Sequence, residues 1–352
     1  VLSNFDIYKE AGKLNTIIRS FNANPQNGKI SIAFIRKTEN AKISAIQIVS
    51  NDSTTTTAPT TSTTAKPATT TTTVPPSSSG SLQWSKIAGS PNKTVEATGG
   101  GLGDKLYYFG GYTSSWLPQS TSYAYTPATN SWERLPDLPK ALTHVSTVVD
   151  GRSFILAGGY GAANGKQVFA TNGVYRYDVD SKTWSSLPNL PAARGSGGLA
   201  IVGRTLHFMG GVDASRKEQS THWTLDLNNT GAGWKSASAF PYPRTHFALV
   251  TVGTTVYSIA GVYGIDDKQT ELNGVYAYDT VADRWTQIGT TPVPISHNSA
   301  STLYFNGRIY MVSGEVSYGH GTQSVWSLDL SAKTWRTETS LPPWGRFAGV
   351  AG

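Results

Sequence analysis

Three arginines, Arg194, Arg244 and Arg346, fall at one position of a pattern that repeats about every fifty residues. Their guanidinium forks suit carboxylates and sugar hydroxyls. Two residues further on, the pattern carries Glu96, His144, Ser196 and His246. Carboxyl and imidazole groups at such spacing are able to hold or move protons. The register slips in the next unit, where His297 or Asn298 takes the arginine position. The loops between carry Trp116, Tyr160, Phe169, Tyr263 and Tyr318, with Asp213, Asp266, Asp267, Glu315 and His320 interspersed. Aromatic faces stack on sugar rings while polar neighbours meet the hydroxyls. Glu315 stands where the repeat expects a glycine, which makes it the best single acidic candidate. Each group also has a structural reading. The bland reading of the arginines, which is the favoured one, is that they pair with neighbouring blades or carbonyls, and that of the aromatics is that they anchor loops.

Other chemistry is poorly represented. There is no HExxH, GxSxG or phosphate-cradling glycine loop. The six histidines show no metal-ligand spacing, and there is no cysteine. No metal and no cofactor is expected. The net charge of +7 is spread without a basic stripe, so no nucleic-acid partner is expected. No apolar run approaches the ~18 residues of a membrane span.

The elements that must position these side chains follow from the tryptophans. Trp84, Trp132, Trp184, Trp234, Trp285 and Trp335 are spaced by 48, 52, 50, 51 and 50 residues. Within each interval an apolar strand ends in glycine, as in Tyr107–Gly111, Ile155–Gly159, His207–Gly211 and Ser258–Gly261, and the fifth, Met311–Glu315, ends in Gly-Glu. A turn glycine precedes each: Gly103, Gly151, Gly203, Gly253 and Gly307. A third strand runs into an Asp turn (Val174–Asp178, Val275–Asp279, Val325–Asp329), and a proline loop follows the tryptophan. Four short strands per fifty residues predict an all-β propeller. The repeated tryptophans are core plates between blades rather than ligand contacts.

With its Gly-Gly, Tyr-Asp and Trp landmarks, the segment 82–352 resembles the Kelch repeat family. The resemblance implies a six-bladed propeller whose closing blade, holding Trp84 and Arg346–Gly352, is incomplete in this chain. Both chain ends interrupt a unit, so truncation, or completion by a neighbour through self-assembly, is expected. In the Kelch family arginine is frequent at the position of Arg194, which implies a structural role. The family's copper oxidases need a tyrosine cross-linked to cysteine, which this sequence lacks. A mutarotase- or lyase-like activity on glycans would need only the acidic, histidine and arginine side chains at the channel.

Residues 1–50 read as a partial β-sandwich. Val1–Ile7, Gly28–Phe34 and Ile43–Ile48 resemble the C-terminal part of a malectin-like carbohydrate-binding domain. Residues 51–81 hold thirteen Thr, six Ser and four Pro with no aromatic residue, the composition of an extended spacer. Its hydroxyls predict O-glycosylation at Thr54, Thr55, Thr56, Thr57, Thr60, Thr61, Thr63, Thr64, Thr69, Thr70, Thr71, Thr72 and Thr73. Asn51, Asn92 and Asn228 head N-glycosylation sequons. The sequence therefore points to an extracellular or cell-surface bacterial protein that binds a glycan or a surface protein. A filament or surface-layer subunit and a glycan-active enzyme are the alternatives.

Overall fold

The computed structural model describes residues 82–342 and 348–352, together with a two-residue strand at Ala45–Ile46. The malectin-like reading of residues 1–50, the threonine-rich spacer and Arg346 otherwise lie outside the described residues.

Five four-stranded antiparallel sheets follow one another along the chain. They are blade I (Thr98–Leu102, Lys105–Phe109, Ser122–Thr126, Ser131–Leu135) and blade II (Ser146–Asp150, Ser153–Ala157, Val174–Asp178, Thr183–Leu187). Blade III comprises Gly198–Val202, Thr205–Met209, His222–Asp226 and Lys235–Ser236. Blade IV comprises Ala248–Val252, Thr255–Ile259, Gly274–Asp279 and Arg284–Thr290. Blade V comprises Thr302–Phe305, Arg308–Val312, Val325–Asp329 and Thr334–Thr337. The first strands of successive blades lie against one another, and Val350–Ala351 lies beside the first strand of blade I. That is the propeller arrangement, with the first strands around a central channel. Val350–Ala351 also pairs in parallel with Ala45–Ile46.

The core is a series of apolar layers between neighbouring blades. Phe109 of blade I packs on Phe154 and Tyr177 of blade II, and Met209 of blade III lies with Phe247 and Val256 at blade IV. The outer-strand tryptophans fasten each blade to the one before. The indole N–H of Trp184 donates to the Pro136 carbonyl, that of Trp234 to Pro188, and that of Trp285 to Ser238. Trp84 donates to the carbonyl of Thr339 and packs on Val312, Val325 and Leu341. This contact joins the start of the propeller to its end, as the sequence pattern requires. Burying so large an indole while satisfying its single donor explains why tryptophan recurs here.

At each second-strand end the chain turns back into a loop on the channel-mouth face. The first residue of that turn has positive φ in every blade: Gly110, Gly158, Gly210, Ala260 and Ser313. The second is always glycine, because a side chain at Gly111 or Gly261 would run into the entrance to the first strand of the same blade, at Thr94–Ala97 or Thr245–Phe247.

Candidate functional site

The channel mouth is built from one position in each blade. Glu96, His144, Ser196, His246, His297 and Ala348 all adopt left-handed backbone with φ between 51 and 58°. None is glycine, although the left-handed region costs such residues on the order of 1–2 kcal/mol each. Each sits at the sharp turn just before a first strand. The turns are tied in a belt across blades: Ser196 N–H donates to the His144 carbonyl, His246 to Ser196, His297 to His246 and Ala348 to His297, at 2.8–3.0 Å. A ring of non-glycine residues held in this conformation presents side chains, and that is a reason to look for function there.

A second ring stands beside it, formed by the residue after each glycine turn. Its members are Tyr112, Tyr160, Val212, Val262 and Glu315, which bridge to Val95, Thr143, Gly195, Thr245 and Ser296 respectively. Glu315 therefore occupies the place of Tyr112 and Tyr160, and the glycine slot belongs to Gly314. His297 occupies the place of His144 and His246, whereas the arginine position of that blade is Ile295. The slip arises because the short 3-10 turn Ser299–Ser301 delays the first strand of blade V to Thr302.

The two rings meet in one cluster. The His246 ring stacks on His297 at 3.9 Å and meets His144 edge-on at 5.1 Å. His144 stacks on Tyr160 at 4.3 Å and touches Tyr112 at 5.4 Å. His297 Nδ1 lies 2.8 Å from Glu315 Oε2, and its Nε2 lies 3.9 Å from Glu96 Oε1. Glu96 Oε2 is in turn 3.9 Å from His144 Nε2. The Glu315 carboxylate also accepts from Gln269 at 3.0 Å and from the Gly319 N–H at 2.5 Å. The Tyr160 hydroxyl meets Ser196 at 3.1 Å, and its ring covers Gly195, where any side chain would collide. His246 is only 5% exposed, and neither of its ring nitrogens has a hydrogen-bond partner. The cluster opens on a cavity of about 590 Å³, including its open end, lined by Glu96, His144, Ser196 and His246 and by the first-strand residues below them.

Burial holds the His144 and His246 pKa values well below the ordinary range, with the neighbouring His297 adding to the effect. Burial also opposes charge on His297, but the hydrogen bond to Glu315 and the charges of Glu96, Glu315 and Glu271 outweigh it, so its pKa is raised. Burial would raise Glu315, yet its bonds to His297, Gly319 and Gln269 lower it instead. The phenol of Tyr160 is pushed up to about 12 by burial. The mouth thus stacks a carboxylate-paired imidazole of raised pKa on one of lowered pKa, an arrangement suited to donating and accepting protons.

The sequence candidates fall into three groups. Glu96, His144, His246, Tyr160 and Glu315 come together in this cluster. Trp116, Tyr263 and Tyr318 stand exposed on loops, Trp116 and Tyr318 at 60% and 79%. Trp116 touches Tyr112, which leads by ring contacts to His144. Tyr318 sits on the hairpin that carries Glu315, and Tyr263 pairs with Tyr242. Arg194 and Arg244 do not line the cavity. Arg194 lies over Trp223 and donates to the Ala193 carbonyl. Arg244 is sandwiched between Phe240 and Tyr276 and donates to the Ala260 carbonyl. Both brace loops, because the side chain two residues before the left-handed turn points away from the channel. Asp213 braces its own loop by accepting from Ser215 and Lys217 backbone, and Asp266 pairs with Arg216 at 2.6 Å.

Arg216 was not singled out by the sequence reading. It lies over Phe169 at 4.3 Å and near Tyr160 at 5.8 Å, at the edge of the cluster. Its place in the repeat is that of Trp116, five residues after the second glycine, and Asp213–Arg216 repeats the loop geometry of Thr113–Trp116, with matching hydrogen bonds and φ of 61 and 58° at the tip. Among the described residues no set of three or more His, Asp or Glu side chains is arranged to hold a metal ion, and no helix is long and apolar enough to cross a membrane.

The model of the KLHDC2/KLHL20/DRC7 Kelch-repeats domain matches residues 77–261 and 143–347. The chain belongs to the Kelch-repeat family. Its Kelch propeller is similar to Kelch-like protein terF of Aspergillus terreus, at 26% identity over 67% of this chain and 53% of that protein. It is also similar to Kelch-like protein 35 of Mus musculus, at 22% over 74% and 42%. The chain spans about half the length of these curated relatives. Kelch domain-containing protein 3 of Bos taurus is 24% identical over 72% of this chain and 73% of its own. Among solved structures, "Structure of YjhT" superposes with a TM-score of 0.61 at 15% identity, covering 73% of this chain and 87% of that one. This likeness supports the Kelch propeller fold alone.

Proposed function

We propose that this Kelch propeller is a binding module that recognises glycans at its channel mouth. The observation that carries the reading is the row of aromatic rings from exposed Trp116 through Tyr112 to His144, ending at the polar His297–Glu315 pair. A sugar offers apolar ring faces and hydroxyls, and this row offers one exposed stacking surface at Trp116, followed by buried rings and polar groups. In this reading the threonine-rich segment is an O-glycosylated spacer of an extracellular or surface protein, and residues 1–50 add a malectin-like carbohydrate-binding part. Intact mass with glycan mapping tests the spacer. A glycan array tests the propeller: binding lost in Trp116→Ala and in Tyr263→Ala supports the reading, and binding that survives both contradicts it.

A second reading is an enzyme that moves protons on a bound glycan. It is favoured by one observation, the stacking of Glu315-paired His297 on His246, whose nitrogens are unpartnered. Turnover of a glycan by the purified protein that disappears in Glu315→Gln, with folding intact, would establish it.

A further inference from the structure

Blade III differs from the other blades at two core positions. The middle of its second strand carries His207, where they carry Tyr107, Ile155, Tyr257 and Tyr310. Near the start of its third strand stands His222, where they carry Ser122, Val174, Val275 and Val325. Both imidazoles are buried at the seam with blade IV, against Tyr278.

Their partners fix their protons. The Ser238 carbonyl only accepts, so His222 Nδ1, 3.0 Å away, carries a proton and donates to it. A neutral imidazole has one N–H, so His222 Nε2 accepts, and His207 Nδ1 donates to it across 3.0 Å. His207 Nε2 is then a bare acceptor, buried and without a partner. Ser238, where this line of bonds ends, is also the joint to blade IV. Its N–H and hydroxyl donate to Asp283, and its carbonyl accepts the indole N–H of Trp285. Asp283 and Tyr278 are the titratable groups that face the pair; both belong to blade IV, and the Tyr278 hydroxyl donates to Asp283.

A further proton has no good place here. On His207 it sits on Nε2, which has no acceptor. On His222 it also sits on Nε2, where it meets the Nδ1–H of His207 head-on. Either charge is buried beneath Tyr278 and Trp285 and gains hydration only if blade IV lifts away. The apolar layer that resists this is thin: six buried residues between blades III and IV, against twelve between blades I and II.

We propose that the His207–His222 pair makes the seam between blades III and IV an acid-sensitive latch, which holds the two blades together when neutral and releases them locally, ahead of the rest of the propeller, when protonated. The latch is independent of what the channel mouth binds. Burial lowers both pKa values, that of His207 to about 4, so the opened seam binds protons more readily than the closed one. Opening is therefore favoured as pH falls below the ordinary value of about 6.5, and the His207 contribution levels off below about 4. Between pH 7 and pH 5, His207 alone should raise the opening constant about twentyfold.

The tryptophans provide a reporter at each seam. The indole N–H of Trp285 spans blades III and IV, and those of Trp184 and Trp234 span the two seams before it. The test is hydrogen exchange of these indole protons in the full chain, read by NMR at pH 7 and pH 5 and corrected for the exchange of free tryptophan. Trp285 should gain about twentyfold or more in corrected rate at pH 5, while Trp184 and Trp234 change little. His207→Gln combined with His222→Gln, which cannot take up a proton, should abolish the gain. Equal acceleration at all three tryptophans, or none at Trp285, would overturn the latch. A gain at Trp285 that persists in the folded double variant would overturn the assignment to these histidines. Should the double variant not fold, the wild type decides: the acceleration of Trp285 must follow the imidazole titration of His207 and His222, and a mismatch in pH overturns the proposal.

Discussion

Two groups of buried histidines sit in this propeller, and their neighbours make them opposites. His207 and His222 lie between blades III and IV, with His207 Nδ1 and His222 Nε2 3.0 Å apart. Tyr278 and Trp285 close over His222, and its Nδ1 faces the Ser238 carbonyl. Burial lowers both pKa values, that of His207 to about 4. The channel histidines are also buried, but His144 and His246 line a cavity, and His297 pairs with Glu315 and lies 3.9 Å from Glu96. The same side chain serves packing in one place and faces a cavity in the other. What differs is position in the repeat: His207 and His222 lie within strands, whereas the channel histidines occupy left-handed turns at the mouth.

The contrast is sharpest in stability. Trp285→Ala, which removes the plate over Tyr278, Phe240 and His222, should destabilise the protein by about 3–5 kcal/mol in chemical denaturation. Acid should act next. His207, His222, His144 and His246 all have lowered pKa values, so the unfolded chain binds protons more readily than the folded one. Stability is then fully present above the ordinary histidine pKa of about 6.5 and is lost as pH falls from there toward 4. His297 runs the other way: its raised pKa contributes at low pH and is lost as pH rises through it. Urea unfolding at a series of pH values checks both. His222→Gln should flatten the acid limb without touching sugar binding.

Smaller effects should separate the channel from the core more cleanly. Glu315→Gln removes the carboxylate that charges His297, so the His297 pKa should drop below its wild-type value, read by NMR titration. The stability loss should stay near 1–2 kcal/mol, because the imidazole can shed its proton instead of remaining an unpaired ion. Trp116→Ala should change stability by less than about 0.5 kcal/mol, since its ring is mostly exposed, while weakening glycan binding.

Much of this architecture is legible in the spacing of tryptophans and glycines, because each has a structural duty that repeats. Glu96, His144 and His246 are legible for the same reason: they share one position in the period. Spacing alone puts His297 at the arginine position, two residues from its true place, because the 3-10 turn Ser299–Ser301 shifts the start of blade V. Spacing puts Glu315 in a glycine slot, one residue off, because Ser313 takes the first glycine's conformation. The arginines mislead for a different reason. Their spacing is right, but spacing carries no information about which way a side chain points, and Arg244 turns into an aromatic sandwich.

One measurement tests the central claim most directly: histidine side-chain NMR of the full chain during titration with the tightest-binding sugar. The resonances of His144, His246 and His297 should move together with a single dissociation constant, while those of His207 and His222 stay fixed. A sugar that binds while all three channel histidines remain unmoved would contradict the assignment of the channel mouth as the binding site.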